Sequence, residues 1–527
     1  MKRKRFSLGL SAVTAAALLL SAATVGAAAE EQTALPDAYS SRDLGYVTSV
    51  KSQQFNSCWA FASMATLEST LLRAGYKTED MSTDHLNMWA TAHNDGTGWQ
   101  RGVSSDGYPN IGLGYLTSWQ GGVFVSDAGD LSIFDPISSD DVPVDLARYG
   151  VTSVKYLYKD KPEDIKRCIM ENGGVYSSYA HTASCLSADR LSYYMPPNYS
   201  GGYSGHSIEV VGWDDTYPRE SFNGLAHTLP QNNGAWLIKN SWGDNNDLGG
   251  YFWMSYEDAY IFAQKYNPSY SLTGVEPIDG TKKLLQNEVY GATYEFDYIN
   301  SQQLTFLNHF SFDSEFDVID KVMFKTNALG AAYSIYFVPD TPDSQPNTDQ
   351  SAWTKLYDGT VDYIGYLCAD IEDFAYPDSS GSIAVAMDTT ASGGGCTIGV
   401  GEWLTNSNGY VFLNSSKRGD SYILQNGGAQ DLMDWYKEAQ HDDIGGTFVI
   451  KAITAKTNRP TLLGDADTDG IVSISDVTAM QRHIAEHIQL TGKAAANADY
   501  NQDGVINIDD ATAVQRFLAE FAPAPVN

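Results

Sequence analysis

Positive charge is scarce in this chain. Over 527 residues, 33 Lys plus Arg stand against 65 Asp plus Glu, a formal net charge of -32. A phosphate backbone is held mainly by Lys and Arg neutralising it, so this balance excludes nucleic acid as a partner. Long apolar runs are scarce too. Beyond residue 25 no stretch reaches about 18 apolar residues, so nothing there is expected to span a bilayer. Cysteine is limited to 5 positions, an odd number, so at least one thiol stays outside any internal pair. Charged residues make up only 19%, whereas 33 Tyr, 20 Phe and 11 Trp are present, which excludes a disordered chain and predicts large cores. The length predicts several domains, at roughly 100 to 200 residues each.

Lys2, Arg3, Lys4 and Arg5 precede an apolar run from Phe6 to Val25 that leads into Ala27, Ala28 and Ala29. Basic head, short apolar stretch and small-residue exit are the order of a secretory signal. Ser7, Ser11, Thr14 and Ser21 interrupt the run, which argues against a membrane anchor. Removing residues 1–29 deletes four positive and no negative charges, taking -32 to -36. The mature protein is expected to be exported, soluble and acidic.

Three regimes follow. Residues 30–270 mix helical and extended patterns and hold the motifs that look chemical. From 271 to 455, short alternating runs such as Ile383, Val385 and Met387 against Ala384 and Ala386, or Phe448 and Ile450 against Thr447 and Val449, predict half-buried strands. Turn clusters between them, for example Pro339 to Asp343, fit an all-β, sandwich-like domain. Residues 456–461 read as a polar linker.

An internal repeat of period 34 occupies 462–525. Asp465, Asp467, Asp469, Gly470, Ile471, Ser473 and Asp476 recur as Asp499, Asn501, Asp503, Gly504, Val505, Asn507 and Asp510. Calcium takes six to eight oxygens, and this spacing supplies alternate side-chain oxygens, a backbone carbonyl at the seventh position and a Gly for the sharp turn. An amphipathic helix follows each loop, and the two match at Val477/Ala511, Met480/Val514, Arg482/Arg516 and Ile484/Leu518.

The doubled loop, with Asp at position 12, resembles a type I dockerin, the module by which secreted enzymes attach to the cohesins of a scaffold protein. The resemblance implies two calcium ions. One is held by Asp465, Asp467, Asp469, the Ile471 carbonyl, Ser473 and Asp476, the other by Asp499, Asn501, Asp503, the Val505 carbonyl, Asn507 and Asp510. Ser473 departs from the usual Asn. Partner choice is expected to rest on Ile474–Ser475 and Ile508–Asp509.

The chemistry lies earlier. Residues 57–72 read as a buried helix with Cys58 in its first turn, where unpaired N–H groups and the helix dipole favour a thiolate. His206 lies on a strand entered through Gly205. The strand Trp236 to Lys239 ends on Asn240, whose amide oxygen can accept from one imidazole nitrogen and aim the other at a thiol, while Trp242 shields that bond from water. Their order, Cys58, His206 after 148 residues and Asn240 after a further 34, resembles the papain family of cysteine peptidases. The runs Ser57-Cys58-Trp59-Ala60-Phe61, Val210-Val211-Gly212-Trp213 and Lys239-Asn240-Ser241-Trp242-Gly243 carry the match.

The resemblance implies an α+β fold of two lobes, Cys58 as nucleophile toward a peptide carbonyl, His206 as base and then acid, and Asn240 as orienter. It implies a Gln as oxyanion donor. Val50-Lys51-Ser52-Gln53 fits the family run, but the spacer to Cys58 is one residue short, which leaves Gln54 as the alternative to Gln53. The run Asn110 to Tyr115 falls where the family places backbone that pairs with substrate, although an ordinary turn fits as well. Leu35 to Tyr39 resembles the start of a mature peptidase, and only five residues separate it from Ala29, which leaves no room for an inhibitory propeptide. The remaining cysteines divide as Cys168 with Cys185 and Cys368 with Cys396, either two local disulfides or four free buried thiols. The β domain resembles a lectin-like domain found behind some bacterial cysteine peptidases, with similar elements at Val322 to Phe324, Ser334 to Tyr336 and Phe448 to Thr454, and glycans are its conceivable ligands.

The expected protein is a secreted, multidomain cysteine endopeptidase: a papain-like unit, an all-β middle domain and a small α dockerin. It cleaves protein or peptide substrates and needs no cofactor for catalysis. Two rival readings stand beside it. One is a papain-fold binding protein, weak or inactive in catalysis, that acts through the β domain. The other is a cell-wall amidase or transpeptidase, which the Asn240-Ser241-Trp242 run disfavours.

Overall fold

The computed structural model describes residues 34–224, 228–263, 268–298, 301–377, 379–403, 412–413, 416–425, 427–438, 445–457 and 462–519. The expected signal segment, residues 458–461 of the linker and residues 520–525 of the repeat lie outside them.

The Cys58–Arg73 helix carries Trp59, Met64, Leu67 and Leu71 on one buried stripe, each at 0% exposure. It packs against the Ser204–Asp214 strand, which holds His206. That strand lies between Val175–His181 and Ala235–Lys239, in the registers Tyr179↔His206 and Glu209↔Lys239. The second pair is also a buried ion pair at 3.4 Å. Removing one partner of such a pair typically costs about 3–5 kcal/mol, so the pair holds the His and Asn strands in a single register.

The same sheet runs on through Ser269–Pro277 and Tyr149–Leu157 and then into the β domain, where Gly365 and Tyr366 pair with Lys155 and Val154. Gly365, at φ +141°, makes this junction: a Cβ there would lie 2.0 Å from the Val154 carbonyl oxygen. Ser269–Pro277 straddles the expected boundary at 270. The cores merge as well. Tyr290, Met323, Tyr366 and Val449 belong to the cluster that contains Trp59 and Leu67, and the buried pair Lys451–Glu288 at 2.7 Å adds a hydrogen bond from Lys451 to the Thr117 carbonyl at 3.2 Å.

In the β domain, Ile319, Phe324 and Ile450 of the long sheet face Phe306, Phe337 and Val385 of a six-stranded sheet. The alternating run at 383–387 is less half-buried than its pattern predicts. Ala384 is at 0% exposure too, because Leu307, Val338 and Tyr422 cover the outer face. The repeat forms helices Ile474–Ile484 and Ile508–Leu518 with a short helix, Gly492–Ala498, between them, around Val477, Met480, Ala511 and Val514. No helix among the described residues is long and apolar enough to cross a membrane.

Candidate active site

Cys58 opens its helix after Ser57, whose hydroxyl is turned back to the Gln54 carbonyl and leaves the first-turn N–H groups uncapped. His206 is 5% exposed, and its Nε2 lies 2.8 Å from Asn240 Oδ1. The same Oδ1 accepts the Ser241 backbone N–H at 2.8 Å. A backbone N–H can only donate, so this contact fixes the amide's orientation and makes Nε2 the protonated nitrogen. Nδ1 is left as the basic atom. Trp242 lies parallel to the imidazole, 4.5 Å between centroids at 21°, and keeps water off the bond.

Cys58 and His206 line one cleft of about 650 Å³ with Gln53, Gly107, Tyr108 and Trp242. Among the described residues no hydrogen bond joins thiol and imidazole. Ser207, whose hydroxyl accepts from Tyr176 at 2.8 Å, is the polar group that favours the Cys58 thiolate. Catalytic contacts of this kind commonly tighten only when substrate binds.

The helix start alone predicts a thiolate, but burial outweighs it. Burial pushes the Cys58 thiol up, with the Ser207 hydrogen bonds drawing it back. Burial likewise lowers His206 to about 4, opposed by the Asn240 bond and reinforced by His181. Each group by itself therefore favours its neutral form. As thiolate and imidazolium in one cleft, each would supply the other's counter-ion, and their protons then belong to the pair.

Gln53 and Gln54 differ in their cleft contacts, although the Gln53 amide also donates to a backbone carbonyl, that of Phe55, at 3.2 Å. The Gln53 backbone N–H donates to Ser241 O at 2.7 Å, its Oε1 accepts from the Ser241 hydroxyl at 2.7 Å, and the side chain lines the cleft. The Gln54 amide folds back onto Ser52 O at 3.3 Å. Phe55, at φ +52°, takes up the shortened spacer in a left-handed turn.

The run Asn110 to Tyr115 is neither substrate-pairing backbone nor a turn. It lies within the buried Pro109–Thr117 helix, where Gly112 abuts Ser63 and Gly114 abuts the Tyr290 carbonyl. The cleft wall is instead the preceding segment Asp106-Gly107-Tyr108. Gly107 is required there, because a Cβ would lie 2.4 Å from the Trp59 ring. Its signal in the sequence is Gly-Tyr-Pro ahead of a helix with Pro in the first turn. All five cysteines are free thiols, which settles the open alternative against disulfides.

In the repeat, carboxylate oxygens of Asp465, Asp467 and Asp476 lie within 4.8 Å of one another. Asp465 accepts the N–H groups of Asp469 and Gly470, and Asp476 those of Asp467 and Ser473. Asp499 and Asp510 repeat this with Asp503, Gly504, Asn501 and Asn507. Asp476 and Asp510, both at 0% exposure, cap the two helices. The convergence of Asp465, Asp467 and Asp476, the first and last buried and Asp467 exposed, with no ion pair to Lys or Arg among the described residues, fits a hard divalent cation.

A cysteine at a helix start and, on neighbouring strands, an imidazole hydrogen-bonded to an amide make up the cleft site of this two-lobed fold. Residues 35–270 match the family model described as papain family cysteine protease, 284–454 the lectin like domain and 463–519 the dockerin type I domain. Two solved structures of the clostridial cysteine protease Cwp84 are similar along most of the chain. One, captured after propeptide cleavage, has a TM-score of 0.69 and 33% identity over 79% of this chain and 99% of that one. The other, comprising the protease and lectin-like domains of this surface layer associated protein of Clostridium difficile, has a TM-score of 0.68 and 33% identity over 80% and 89%. Cathepsin K of Mus musculus is 27% identical over 222 residues, 41% of this chain, which spans 59% of the cathepsin's length. The chain belongs to the papain family of cysteine peptidases.

Proposed function

We propose that the chain is an exported cysteine endopeptidase that hydrolyses peptide bonds through Cys58, His206 and Asn240 and is held on a cohesin-bearing scaffold by its dockerin. What carries the reading is the Asn240 oxygen, which accepts from both Ser241 and His206 and so leaves Nδ1 as a base in the cleft that Cys58 lines. His206 Nδ1 takes the thiol proton as Sγ attacks the carbonyl carbon. The Cys58 N–H and the Gln53 amide hold the oxyanion. Collapse breaks the C–N bond, the imidazolium returns the proton to the leaving amine, and a thioester remains. Water, deprotonated by the same nitrogen, attacks the thioester and frees the acid and the thiol. Extended substrate would lie along Gly107, which presents backbone without a side chain.

Calcium would supply no catalytic step. Two ions, one per loop, would neutralise the aspartates and fix the helices that present Ile474 and Ile508, which are 64% and 58% exposed, to a cohesin. In the β domain, a groove lined by Gln303, Thr305, Ser334 and Asp388 is where a glycan would sit. An extracellular or cell-surface location accords with the dockerin match and with the surface-layer association of the similar protease.

The test is an epoxysuccinyl peptide inhibitor, read by intact mass. One covalent adduct on the reduced, calcium-loaded protein and none on Cys58→Ala is expected. No adduct on the folded parent would return the case to a binding protein of papain fold.

A further inference from the structure

His206 has a second histidine beside it that the reaction above does not use. His181 ends the Val175–His181 strand, two residues beyond Tyr179, which pairs with His206. Its ring stands edge-on to Trp242 at 4.8 Å and lies 6.3 Å from the His206 ring, and its side chain lines the same cleft.

The Tyr179 hydroxyl lies 3.0 Å from His181 Nδ1. The Tyr179 residue is 2% exposed, and among the described residues this is the single contact of its hydroxyl, so the O–H has nothing else to donate to. Nδ1 is therefore the acceptor, and Nε2 carries the proton. That N–H has no partner among the described residues and belongs to a cleft wall.

The direction of the substrate follows from the chemistry. The leaving nitrogen must reach His206, so the residue after the scissile bond passes over His206 toward Trp242 and His181. Among the described residues, the other charged or titratable groups on the cleft are Asp106 and Tyr108 on the helical wall, His206, Cys58, Tyr179 beneath the ring and the hydrogen-bonded pair Tyr203 and Tyr260. From its other side, Tyr193 stacks on the His181 ring. Among the described residues no Lys or Arg lines this cleft.

The geometry points to His181 as a specificity-determining residue that binds a carboxylate on the leaving-group side, carried by the side chain of the first residue after the scissile bond or by a free chain end one residue on. This rests on the reading of Cys58 and His206 as the reacting pair. Burial holds His181 below its usual range, so it acts as a neutral donor near pH 7 and gains charge only in acid.

Paired fluorogenic peptides that differ by Glu or Gln after the scissile bond, each with a free or amidated C-terminus, test this from pH 7.5 to 5.5. A charge-assisted bond predicts about a tenfold Glu over Gln preference in kcat/KM at pH 5.5, narrowing toward pH 7.5. His181→Gln, which keeps a neutral donor but cannot gain charge, should abolish the rise of the preference toward pH 5.5 while leaving iodoacetamide labelling of Cys58 and cleavage of the Gln peptide within about twofold. A preference that follows the free C-terminus instead assigns the carboxylate to the chain end. A parent that cleaves Glu and Gln peptides equally at every pH, with either terminus, or a preference that still grows toward pH 5.5 in His181→Gln, overturns the role of His181. A parent that cleaves no peptide overturns the peptidase reading itself. Because the pH profile of the parent is diagnostic on its own, a variant that fails to fold does not remove the test.

Discussion

Asn240→Ala isolates the feature on which the catalytic reading turns. In the resting protein the Asn240 oxygen accepts from a neutral imidazole at 2.8 Å. In the transition state it would accept from an imidazolium, so the bond strengthens as the barrier is climbed. A hydrogen bond to a charged partner contributes about 1.5–3 kcal/mol, and 1.36 kcal/mol is tenfold in rate, so kcat should fall roughly 10- to 150-fold. KM should stay within about twofold, because substrate does not touch the amide. The assay is steady-state hydrolysis of a fluorogenic peptide. Asn240 also accepts the Ser241 N–H, so a thermal melt must accompany it to separate a loss of about 1–3 kcal/mol in stability from the loss in rate. A rise in KM with kcat unchanged, or a total effect under threefold, would refute the claim that this amide orients the base.

Gln53→Ala should lower kcat by about a hundredfold or more, the usual effect of losing one oxyanion donor, whereas Gln54→Ala should leave it unchanged. Equal effects would mean that both amides reach the oxyanion. In Cys58→Ala, where no thiolate can pair with the imidazole, His206 should behave as a buried neutral group. Its pKa falls from 6.5 to about 4 on folding, so the unfolded chain binds the proton more readily and stability present above pH 6.5 is lost as pH drops through that window. The full loss is about 3 kcal/mol, to be read as denaturation midpoints in Cys58→Ala and in Cys58→Ala/His206→Gln, which should lack it. Chelation by EDTA should unfold residues 462–519 while leaving peptide hydrolysis intact, as followed by circular dichroism and activity on one sample. Loss of both together would place calcium in the peptidase as well.

Much of the site was legible because its chemistry is written locally. A thiol at a helix start, an imidazole entered through Gly205 and an amide at a strand end each declare themselves within about ten residues, and the helix and strands form where their apolar patterns put them. The loops at 465–476 and 499–510 are legible for the same reason: a calcium ion is wrapped by one short segment, so its ligand spacing is a property of the chain alone. Tertiary structure decided whatever depends on two distant segments meeting. Gln53 rather than Gln54 faces the cleft because Phe55 turns left-handed and Ser241, far along the chain, grips the glutamine. Gly112 and Gly114 belong to a buried helix because Ser63 and Tyr290 press on them, and that pressure carries no local signature. The thiol is not activated by its helix alone, since burial, a sum over all surrounding segments, opposes the dipole. The peptidase and β domain share one sheet because Gly365 lets a strand edge approach Val154 more closely than any side chain would permit. His181 acquires its place only when its strand lies beside that of His206, and periodicity along one strand cannot reveal which cleft the neighbouring strand will line.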